Sequence, residues 1–184
     1  QRIIDRLGDG RKFGVRIRYV CETVPLGTAG GVKLAEELLD ETFLIISGDA
    51  ITDVNLRAAV EFHQANQALV TLLLKEVEDP SEYGIAEVDS EARITRFLEK
   101  PSPEQVFSRT ANTGMYVMSR AALAAVPADE PFDFSKNLFP ALLRHNERMF
   151  GWRIDGYWND IGSLTEYLQA HIDALAGKID LPLM

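Results

Sequence analysis

Polar residues stand at the ends of predicted strands or beside glycines at four places. These places are Asp49 after Ser47-Gly48, the corner Glu99-Lys100-Pro101, Asn112 before Thr113-Gly114, and Asp160 before Ile161-Gly162. The two aspartates suit a hard cation such as Mg²⁺, which takes one or two carboxylates together with substrate phosphates. Lys100, whose direction Pro101 restricts, suits a phosphate group as a point charge. Taken alone, each residue also fits a plain structural interpretation, as part of a turn, a solvated side chain or the start of a helix.

Residues 27–31, Gly-Thr-Ala-Gly-Gly, form a glycine-rich stretch before a predicted helix. Glycines allow close approach to the backbone, and the amides at a helix N-terminus favour anionic groups. The stretch is therefore either a nucleotide-binding surface or an ordinary turn. The three histidines are scattered without ligand spacing, and no Ser–His or Cys–His pair indicates nucleophilic catalysis.

The composition is that of a globular protein of one domain. With 184 residues, of which 46% are hydrophobic, the chain can bury a substantial core. Its formal net charge of −9 argues against nucleic acid or an anionic membrane as the main partner. The single cysteine, Cys21, excludes an internal disulfide framework and predicts a reducing, cytoplasmic location. No apolar run approaches the ~18 residues of a membrane span, so we expect no membrane association.

Strands and helices alternate in the first half of the chain. The apolar runs 43–46 and 68–74 are typical of strands covered on both faces, and the alternating run 15–20 predicts an edge strand. The predicted helices cover residues 1–7, 32–39 and 55–65. Gly48, directly after the first apolar run, is expected to allow close approach to the backbone. This rhythm predicts a three-layer α/β sandwich.

The second half has shorter elements. Residues 83–89 and 93–101 predict a hairpin, and residues 111–118 and 149–155 predict two further strands. The predicted helices cover residues 121–126, 134–144 with a break at Pro140, and 163–175. Ser163 followed by Glu166 predicts a capping box at the start of the last helix.

Six motifs occur in an order and spacing that resemble one enzyme family. They are Leu26-Gly27-Thr28-Ala29-Gly30-Gly31, Ser47-Gly48-Asp49, Glu82-Tyr83-Gly84-Ile85, Phe97-Leu98-Glu99-Lys100-Pro101, Asn112-Thr113-Gly114-Met115-Tyr116 and Gly156-Tyr157-Trp158-Asn159-Asp160-Ile161-Gly162. Over residues 13–176 the chain resembles the sugar-phosphate nucleotidyltransferases, most closely the mannose-1-phosphate guanylyltransferases. The resemblance implies a Rossmann-like three-layer α/β/α domain with a mixed, mainly parallel sheet. It also implies Mg²⁺-dependent transfer of a nucleotidyl group from an NTP, here GTP, to a sugar 1-phosphate, giving GDP-mannose and pyrophosphate.

The resemblance assigns roles to residues that match the family motifs. Asp49 and Asp160 match the aspartates that hold Mg²⁺ against the α-phosphate, and Lys100 matches the lysine that binds the sugar phosphate. The sugar contacts that the resemblance implies are Glu99, Gly84, Asn112 and, less closely, Thr113. Gly27 and Thr28 match the segment that packs against the base and ribose. Catalysis in such a site is positioning plus charge stabilisation, without a protein nucleophile.

The two ends of the chain depart from the family pattern. Relatives begin with a strand and a glycine-rich, basic loop around the triphosphate, and residues 1–13 do not resemble these. We therefore expect a partial nucleotidyltransferase domain over residues 1–176, inactive by itself. Residues 177–184 resemble the lead-in to a C-terminal domain that this chain lacks.

Two alternatives stay open at this point. A non-catalytic regulatory or scaffold relative would keep the fold and lose the reaction; the missing loop favours it, whereas Asp49, Lys100 and Asp160 disfavour it. A glucose-1-phosphate thymidylyl-, uridylyl- or adenylyltransferase would share these motifs, because base selection depends partly on the missing loop. A homo-oligomer is also compatible with the sequence.

Overall fold

Residues 2–180 are described by the computed structural model of the chain, so Gln1 and part of the predicted lead-in, residues 181–184, lie outside the described residues. The helices are α1 (Arg2–Leu7), α2 (Gly27–Leu34), α3 (Leu56–Ala65), α4 (Phe139–Arg144) and α5 (Leu164–Leu175). The strands are β1 (Thr42–Ile45), β2 (Ile51–Thr52), β3 (Val70–Glu76), β4 (Gly84–Val88), β5 (Ile94–Glu99), β6 (Thr110–Ser119), β7 (Met149–Arg153) and β8 (Trp158–Asn159). Short 3-10 segments cover Arg11–Phe13, Glu36–Leu38, Pro103–Gln105 and Arg120–Ala125, and a π-helical turn covers Phe134–Leu138.

The main sheet is arranged around β6. This strand pairs antiparallel with β1, β3 and β4, while β7 pairs parallel with β3 and β5 pairs antiparallel with β4. It follows that β1, β3, β4 and β7 run in one direction and that β5 and β6 run in the other. The predicted mixed, mainly parallel sheet is confirmed in this sense of strand direction. Most neighbouring pairs are nevertheless antiparallel, because β6 lies among strands of the opposite direction.

The side chains of β3 alternate between two apolar clusters, one on each face of the sheet. Leu72 and Leu74 belong to the larger cluster, which α2, α4 and the π-helical turn cover. Leu73 belongs to the smaller cluster, to which α3 contributes Ala59 and Val60. Helices therefore cover both faces, which confirms the predicted three-layer arrangement.

Helix α3 is fixed to the sheet by a buried histidine. The side chain of Asn55 caps the helix by accepting the amide of Ala58 at 3.1 Å. Near the other end, His63 Nδ1 lies 3.0 Å from Thr71 Oγ1 and Nε2 lies 3.1 Å from Ser119 Oγ. Since Ser119 Oγ donates to the carbonyl of Ala68, it accepts from Nε2, and Nδ1 then accepts from Thr71. Burial lowers the pKa of His63, so the neutral ring is favoured in this network.

A separate two-stranded ladder joins two loops that are far apart in the chain. Ile51 of β2 pairs with Asn159 of β8, and Thr52 pairs with Trp158, in the antiparallel sense. Thr52 Oγ1 also donates to the carbonyl of Tyr157 at 2.8 Å. The loop before β2 and the loop after β8 therefore lie at the same end of the ladder.

The strand predicted over residues 15–20 is wrong. Residues 16–22 have no regular secondary structure, and Val15 and Val20 are 54% and 40% exposed. The amide of Ile17 donates to the carbonyl of Asp9 at 2.9 Å rather than to a neighbouring strand. The alternating run has the composition of a strand, but among the described residues it meets no strand with which its backbone pairs.

One predicted helix differs from its predicted bounds, and another has the predicted break. The glycine-rich stretch is not a turn before the helix; α2 begins at Gly27 and ends at Leu34, and Glu36–Leu38 continue as a 3-10 turn. The predicted break near Pro140 is confirmed, since a π-helical turn ends at Leu138 and α4 begins at Phe139. Pro140 lies in the first turn of α4, where a backbone N–H would have no hydrogen-bond partner within the helix, so its absence costs nothing.

Of the two hydrogen bonds of the predicted capping box, the one from the Glu166 amide to the Ser163 side chain is confirmed. Ser163 Oγ accepts the amide of Glu166 at 3.1 Å. The Glu166 carboxylate turns instead to Asn159, whose Nδ2 donates to it at 2.7 Å.

Within residues 2–180 there is no helix that is long and apolar enough to cross a membrane.

Candidate functional site

Four carboxylates line one cavity of about 250 Å³, which we call the acidic cavity. They belong to Asp49, Glu82, Glu99 and Asp160, and the predicted site residues Gly84, Asn112 and Thr113 line the same cavity. The structure therefore brings together residues from five of the six sequence motifs. A concentration of negative charge at one place favours a bound cation, and an anionic substrate would need such a cation between itself and the carboxylates.

The β2–β8 ladder explains why Asp49 and Asp160 meet. Asp49 precedes β2 in the loop after β1, and Asp160 directly follows β8. Because Ile51 pairs with Asn159 in the antiparallel sense, both aspartates lie at the same end of the ladder. A second bond reinforces this pairing, since the amide of Tyr157 donates to Asp53 Oδ1 at 2.6 Å.

Gly84 makes room for the Glu99 carboxylate. The two residues are opposite each other in the β4–β5 pairing. A Cβ atom on Gly84 would lie 2.6 Å from Glu99 Oε2 and 2.7 Å from Phe97 Cζ. Burial raises the pKa of Glu99, and a hydrogen bond with Ser135 acts in the opposite direction. Glu99 is thus a half-buried carboxyl group at a fixed position in the cavity wall.

Asn112 is held by its neighbours at the floor of the acidic cavity. Its Nδ2 donates to Tyr116 Oη at 2.9 Å, and its Oδ1 accepts the amide of Gly114 at 3.2 Å. Ser135 Oγ lies 3.5 Å from the same Nδ2. Burial raises the pKa of Tyr116 to about 12, so the phenol stays protonated. The network fixes the orientation of the Asn112 amide.

Thr113 has a structural role. Its hydroxyl donates to the carbonyl of Leu73 at 2.8 Å and accepts the amide of Met115 at 3.3 Å. Thr113 therefore joins β6 to β3, and both hydrogen-bonding directions of its hydroxyl are in use within the fold.

Lys100 lies beside the acidic cavity rather than in its lining. Its Nζ is 3.3 Å from Glu82 Oε2, and both side chains are largely exposed. The backbone of Lys100 has a φ of 44°, and its amide donates to the carbonyl of Tyr83 at 3.0 Å. A non-glycine residue in the left-handed region carries strain, and such strain is often found at functional sites. An exposed pair of this kind is weak, so Lys100 can exchange Glu82 for another anion.

A second cavity of about 420 Å³ adjoins the first, and we call it the adjoining cavity. Glu99, Tyr116 and Ser135 line both cavities, and Thr28 lines only the adjoining one. Thr28 Oγ1 donates to Asp133 Oδ2 at 2.9 Å and accepts the amide of Phe134 at 3.0 Å. Thr28 of the predicted nucleotide-facing segment therefore lines the adjoining cavity, whereas the two aspartates line the acidic cavity.

Gly27 is required by its backbone conformation and its close contact. It has a φ of 72°, and an added Cβ atom would lie 2.7 Å from the carbonyl oxygen of Phe132. That carbonyl also accepts the amides of Ala29 and Gly30 at 2.9 and 3.0 Å. The first turn of α2 is thus attached to the segment before the π-helical turn.

Gly48 makes no close contact within the described part of the protein. An added Cβ atom would meet nothing within 4 Å, and the residue does not have a positive φ. The close approach occurs instead at Gly114, where a Cβ atom would lie 2.8 Å from Ser47 Oγ. The sequence motif Ser-Gly-Asp alone does not distinguish these two glycines, since the contact depends on how β6 passes the loop.

The donor groups in the acidic cavity fit a magnesium ion. Among residues 2–180 there is no group of three or more histidine, cysteine, aspartate or glutamate side chains arranged to hold a metal. Mg²⁺ does not need one, because it retains several waters and is bound through one or two carboxylates plus substrate phosphates. Asp49 and Asp160 supply the two carboxylate groups, and both are oxygen donors of the hard type that Mg²⁺ prefers.

Tyr83, Trp158 and Ser135 are among the residues of the cavity wall that were not predicted as site residues. Tyr83 and Trp158 form an edge-to-face pair with ring centroids 5.6 Å apart. In the described part of the chain, Trp158 Nε1 is the buried side-chain polar atom without a hydrogen-bond partner. Its N–H is therefore a candidate donor to a bound molecule. Ser135 gave no signal in the sequence, because its contact with Asn112 arises from tertiary packing.

The chain is similar to known proteins in sequence and in fold. The family model described as nucleotidyl transferase matches residues 1–177. A mannose-1-phosphate guanylyltransferase of Mycobacterium tuberculosis is 33% identical over 182 residues, covering 96% of this chain and 49% of the relative. A UTP–glucose-1-phosphate uridylyltransferase of Synechocystis is 34% identical over 185 residues, covering 93% and 48%. The chain thus spans about half the length of the curated relatives it matches.

Solved structures share the fold. A putative glucose-1-phosphate thymidylyltransferase from Bacillus anthracis superposes with a TM-score of 0.83 at 24% identity, over 99% of this chain and 74% of that one. HddC from Yersinia pseudotuberculosis complexed with GMP-PN gives a TM-score of 0.77 at 23% identity, over 94% and 73%. At these identities the likeness concerns the arrangement of the elements.

Proposed function

The chain belongs to the nucleotidyl transferase family, and from that premise we propose that its protein transfers a nucleotidyl group from an NTP to a sugar 1-phosphate. The observation that carries the proposal is the meeting of Asp49, Asp160, Glu99 and Asn112 in one cavity, with Lys100 beside it. Carboxylates for a cation, a lysine for a phosphate and polar groups for hydroxyls are the parts that this reaction needs.

The proposed reaction is an in-line displacement at the α-phosphorus of the NTP. An oxygen of the sugar phosphate forms the new P–O bond, the bond between the α-phosphorus and the bridging oxygen breaks, and pyrophosphate leaves. The substrate supplies its own nucleophile, so the protein has to align two anions and to stabilise charge. This agrees with a site built from carboxylates, a lysine and amide groups.

On the sugar side, Lys100 would bind the phosphate and Glu99 would accept hydrogen bonds from sugar hydroxyls. The support for Lys100 is its exchangeable partner Glu82, which leaves the ammonium available to a phosphate. Asn112 is the third member of this side, oriented by Tyr116. Gly84 acts by leaving space for the Glu99 carboxylate, and Thr113 acts by joining two strands under the site.

Asp49 and Asp160 would hold Mg²⁺ between them and the phosphates. When bound, Mg²⁺ neutralises charge on the α-phosphate and keeps the two anionic substrates together. The protein's own contribution is to hold both carboxylates at one end of the β2–β8 ladder.

The nucleotide would lie on the side of the adjoining cavity, against Gly27 and Thr28. Guanine and mannose are our first choice, because a relative 33% identical is named mannose-1-phosphate guanylyltransferase. A uridylyl transfer to glucose 1-phosphate is the second candidate, favoured by the relative at 34% identity with that name.

Self-association and a cytoplasmic location stay predictions. Sedimentation velocity would test self-association, and cell fractionation would test the location.

The test is pyrophosphate release by the purified full-length protein, since residues 1–184 alone are expected to be inactive. Each of four NTPs is paired in turn with mannose 1-phosphate and with glucose 1-phosphate. We expect release that depends on both substrates and on Mg²⁺, and is highest with GTP and mannose 1-phosphate. A different best pair would change the substrates and keep the reaction. Binding of both substrates without pyrophosphate release would identify a non-catalytic relative and contradict the proposal.

A further inference from the structure

The Glu166 carboxylate contacts the residue before Asp160 instead of completing the helix cap. Asn159 Nδ2 donates to Glu166 Oε2 at 2.7 Å. On its other side, Asn159 Oδ1 accepts the amide of Ile161 at 2.8 Å. The Asn159 side chain therefore spans Asp160, joining the amide after it to a carboxylate of α5.

The turn after Asp160 needs such support. Ile161 has a φ of 47°, in the left-handed region. A β-branched residue is rarely found there, because its Cβ substituents crowd the backbone. The hydrogen bond from the Ile161 amide to Asn159 Oδ1 closes this turn. The direction of the Asp160 side chain depends on this strained turn.

Both ends of the support are attached to regular elements. Asn159 is paired with Ile51 in the β2–β8 ladder. Glu166 lies in the first turn of α5, and Ser163 caps its amide. We propose that Asn159 and Glu166 are positioning residues that hold Asp160 in the orientation in which it binds the cation. This inference rests on the proposed function, because it assumes that Asp160 is a metal ligand.

Glu166 acts through Asn159 and not on the cation itself. It does not line the acidic cavity; it lines a smaller cavity of about 220 Å³, which shares Tyr83, Trp158 and Asp160 with the acidic cavity. A direct electrostatic role would require its negative charge. A positioning role requires only an oxygen that accepts from Asn159 Nδ2, which a glutamine also supplies.

The first experiment measures binding of Mn²⁺, as a probe for Mg²⁺, by electron paramagnetic resonance of the purified protein with mannose 1-phosphate present, because a substrate phosphate is expected to be a further ligand. We expect Glu166→Ala and Asn159→Ala to weaken Mn²⁺ binding by roughly 10- to 100-fold, the usual effect of losing a partner behind a metal ligand. Glu166→Gln is the matched control and should bind Mn²⁺ within about twofold of the wild type, since it keeps the acceptor. Thermal melts check that each variant is folded.

The second experiment needs no metal. Amide hydrogen exchange at Ile161, followed by NMR, reports whether the turn after Asp160 is closed. We expect faster exchange at Ile161 in Glu166→Ala than in the wild type, and no change in Glu166→Gln. The amide of Tyr167, which donates to the backbone carbonyl of Ser163 at 2.9 Å in the same first turn of α5, serves as an internal reference for the helix.

The outcomes separate this inference from the proposed function. Mn²⁺ binding that Asp49→Ala abolishes and Glu166→Ala leaves unchanged would overturn the positioning role alone. A Glu166→Gln variant as weak as Glu166→Ala would also overturn it, in favour of a direct charge effect. A wild-type protein that binds no Mn²⁺ would overturn the metal site and the positioning role together.

Discussion

Asn159 pairs with Ile51 in the β2–β8 ladder, and this register brings Asp160 to the same end of the ladder as Asp49. The two aspartates thus line one cavity although they come from opposite halves of the chain. Because the ladder joins their loops directly, we expect a change in one loop to alter the position of the other. The site is therefore one unit and not two independent loops.

Replacing either aspartate should abolish turnover and leave the fold intact. Asp49→Asn and Asp160→Asn keep the size of the side chain and remove a charged metal ligand. We expect turnover to fall by at least about a hundredfold, since losing a ligand costs more than losing a partner behind it. Asp155→Asn changes an exposed carboxylate of the same segment and is the control. Steady-state pyrophosphate release with saturating substrates measures the effect; turnover within tenfold of the wild type would contradict the assigned role.

Lys100→Ala should weaken binding of the sugar 1-phosphate more than binding of the nucleotide. A charge-assisted hydrogen bond to a phosphate contributes about 1.5–3 kcal/mol, so the KM for the sugar 1-phosphate should rise about ten- to a hundredfold. Glu82→Gln, which removes the ion-pair partner and keeps the lysine, should not raise that KM. If the KM for the NTP rises as much in Lys100→Ala, the lysine serves the triphosphate instead.

Gly84→Ala should impair sugar binding through Glu99. The added Cβ atom would lie 2.6 Å from Glu99 Oε2 and 2.7 Å from Phe97 Cζ, so the carboxylate must move. We expect the KM for the sugar 1-phosphate to rise by about the effect of one lost hydrogen bond to a charged group, roughly tenfold or more. Gly48→Ala, where the Cβ atom would meet nothing within 4 Å, is the matched control and should behave as the wild type. Equal kinetics of the two variants would show that the position of Glu99 is unimportant.

The sequence predicted those parts of the fold that local pattern determines. Continuous apolar runs identified β1 and β3, and the breaks beside Pro140 and Ser163 were correctly placed. The family resemblance implied that Asp49 and Asp160 hold one Mg²⁺ ion, and the sequence did not indicate the β2–β8 ladder that joins their loops. The strand predicted over residues 15–20 is absent because a strand also needs a neighbouring strand to pair with, and the residues of the segment do not specify one.

Tertiary contacts account for what the sequence did not predict in the site. Ser135 reaches the cavity only because the π-helical turn packs against β6, and nothing in its local sequence indicates this. Glu166 has the spacing of a capping residue, yet the approach of β8 gives its carboxylate a different partner. In both cases a contact distant in sequence decided the outcome.

The stability of the fold should decrease in mild acid because of His63. Burial lowers the pKa of this residue from 6.5, so the unfolded chain takes up a proton before the folded chain does. Its contribution to stability is therefore fully present above about pH 6.5 and is lost as the pH falls below that value towards the lowered folded pKa. Urea unfolding of the wild type and of His63→Gln between pH 5 and pH 8 measures the difference. His145→Gln, at an exposed position, is the control and should keep the wild-type dependence.

The His63 variant gives a clear decision. A glutamine can donate to Ser119 and accept from Thr71 without titrating, so its free energy of unfolding should vary less with pH than that of the wild type. Parallel curves for His63→Gln and the wild type would show that other groups, mainly carboxylates, determine the acid sensitivity.

The most direct test of the account is a crystal structure of the protein with Mn²⁺ and mannose 1-phosphate, examined by anomalous scattering. We predict one Mn²⁺ peak in the acidic cavity, with carboxylate oxygens of both Asp49 and Asp160 at about 2.1–2.2 Å and an oxygen of the phosphate as a further ligand. Lys100 Nζ should contact the same phosphate and no longer Glu82. Carboxylates that face different cavities, or a metal bound by only one of them, would contradict the central claim that the β2–β8 ladder assembles a single cation site.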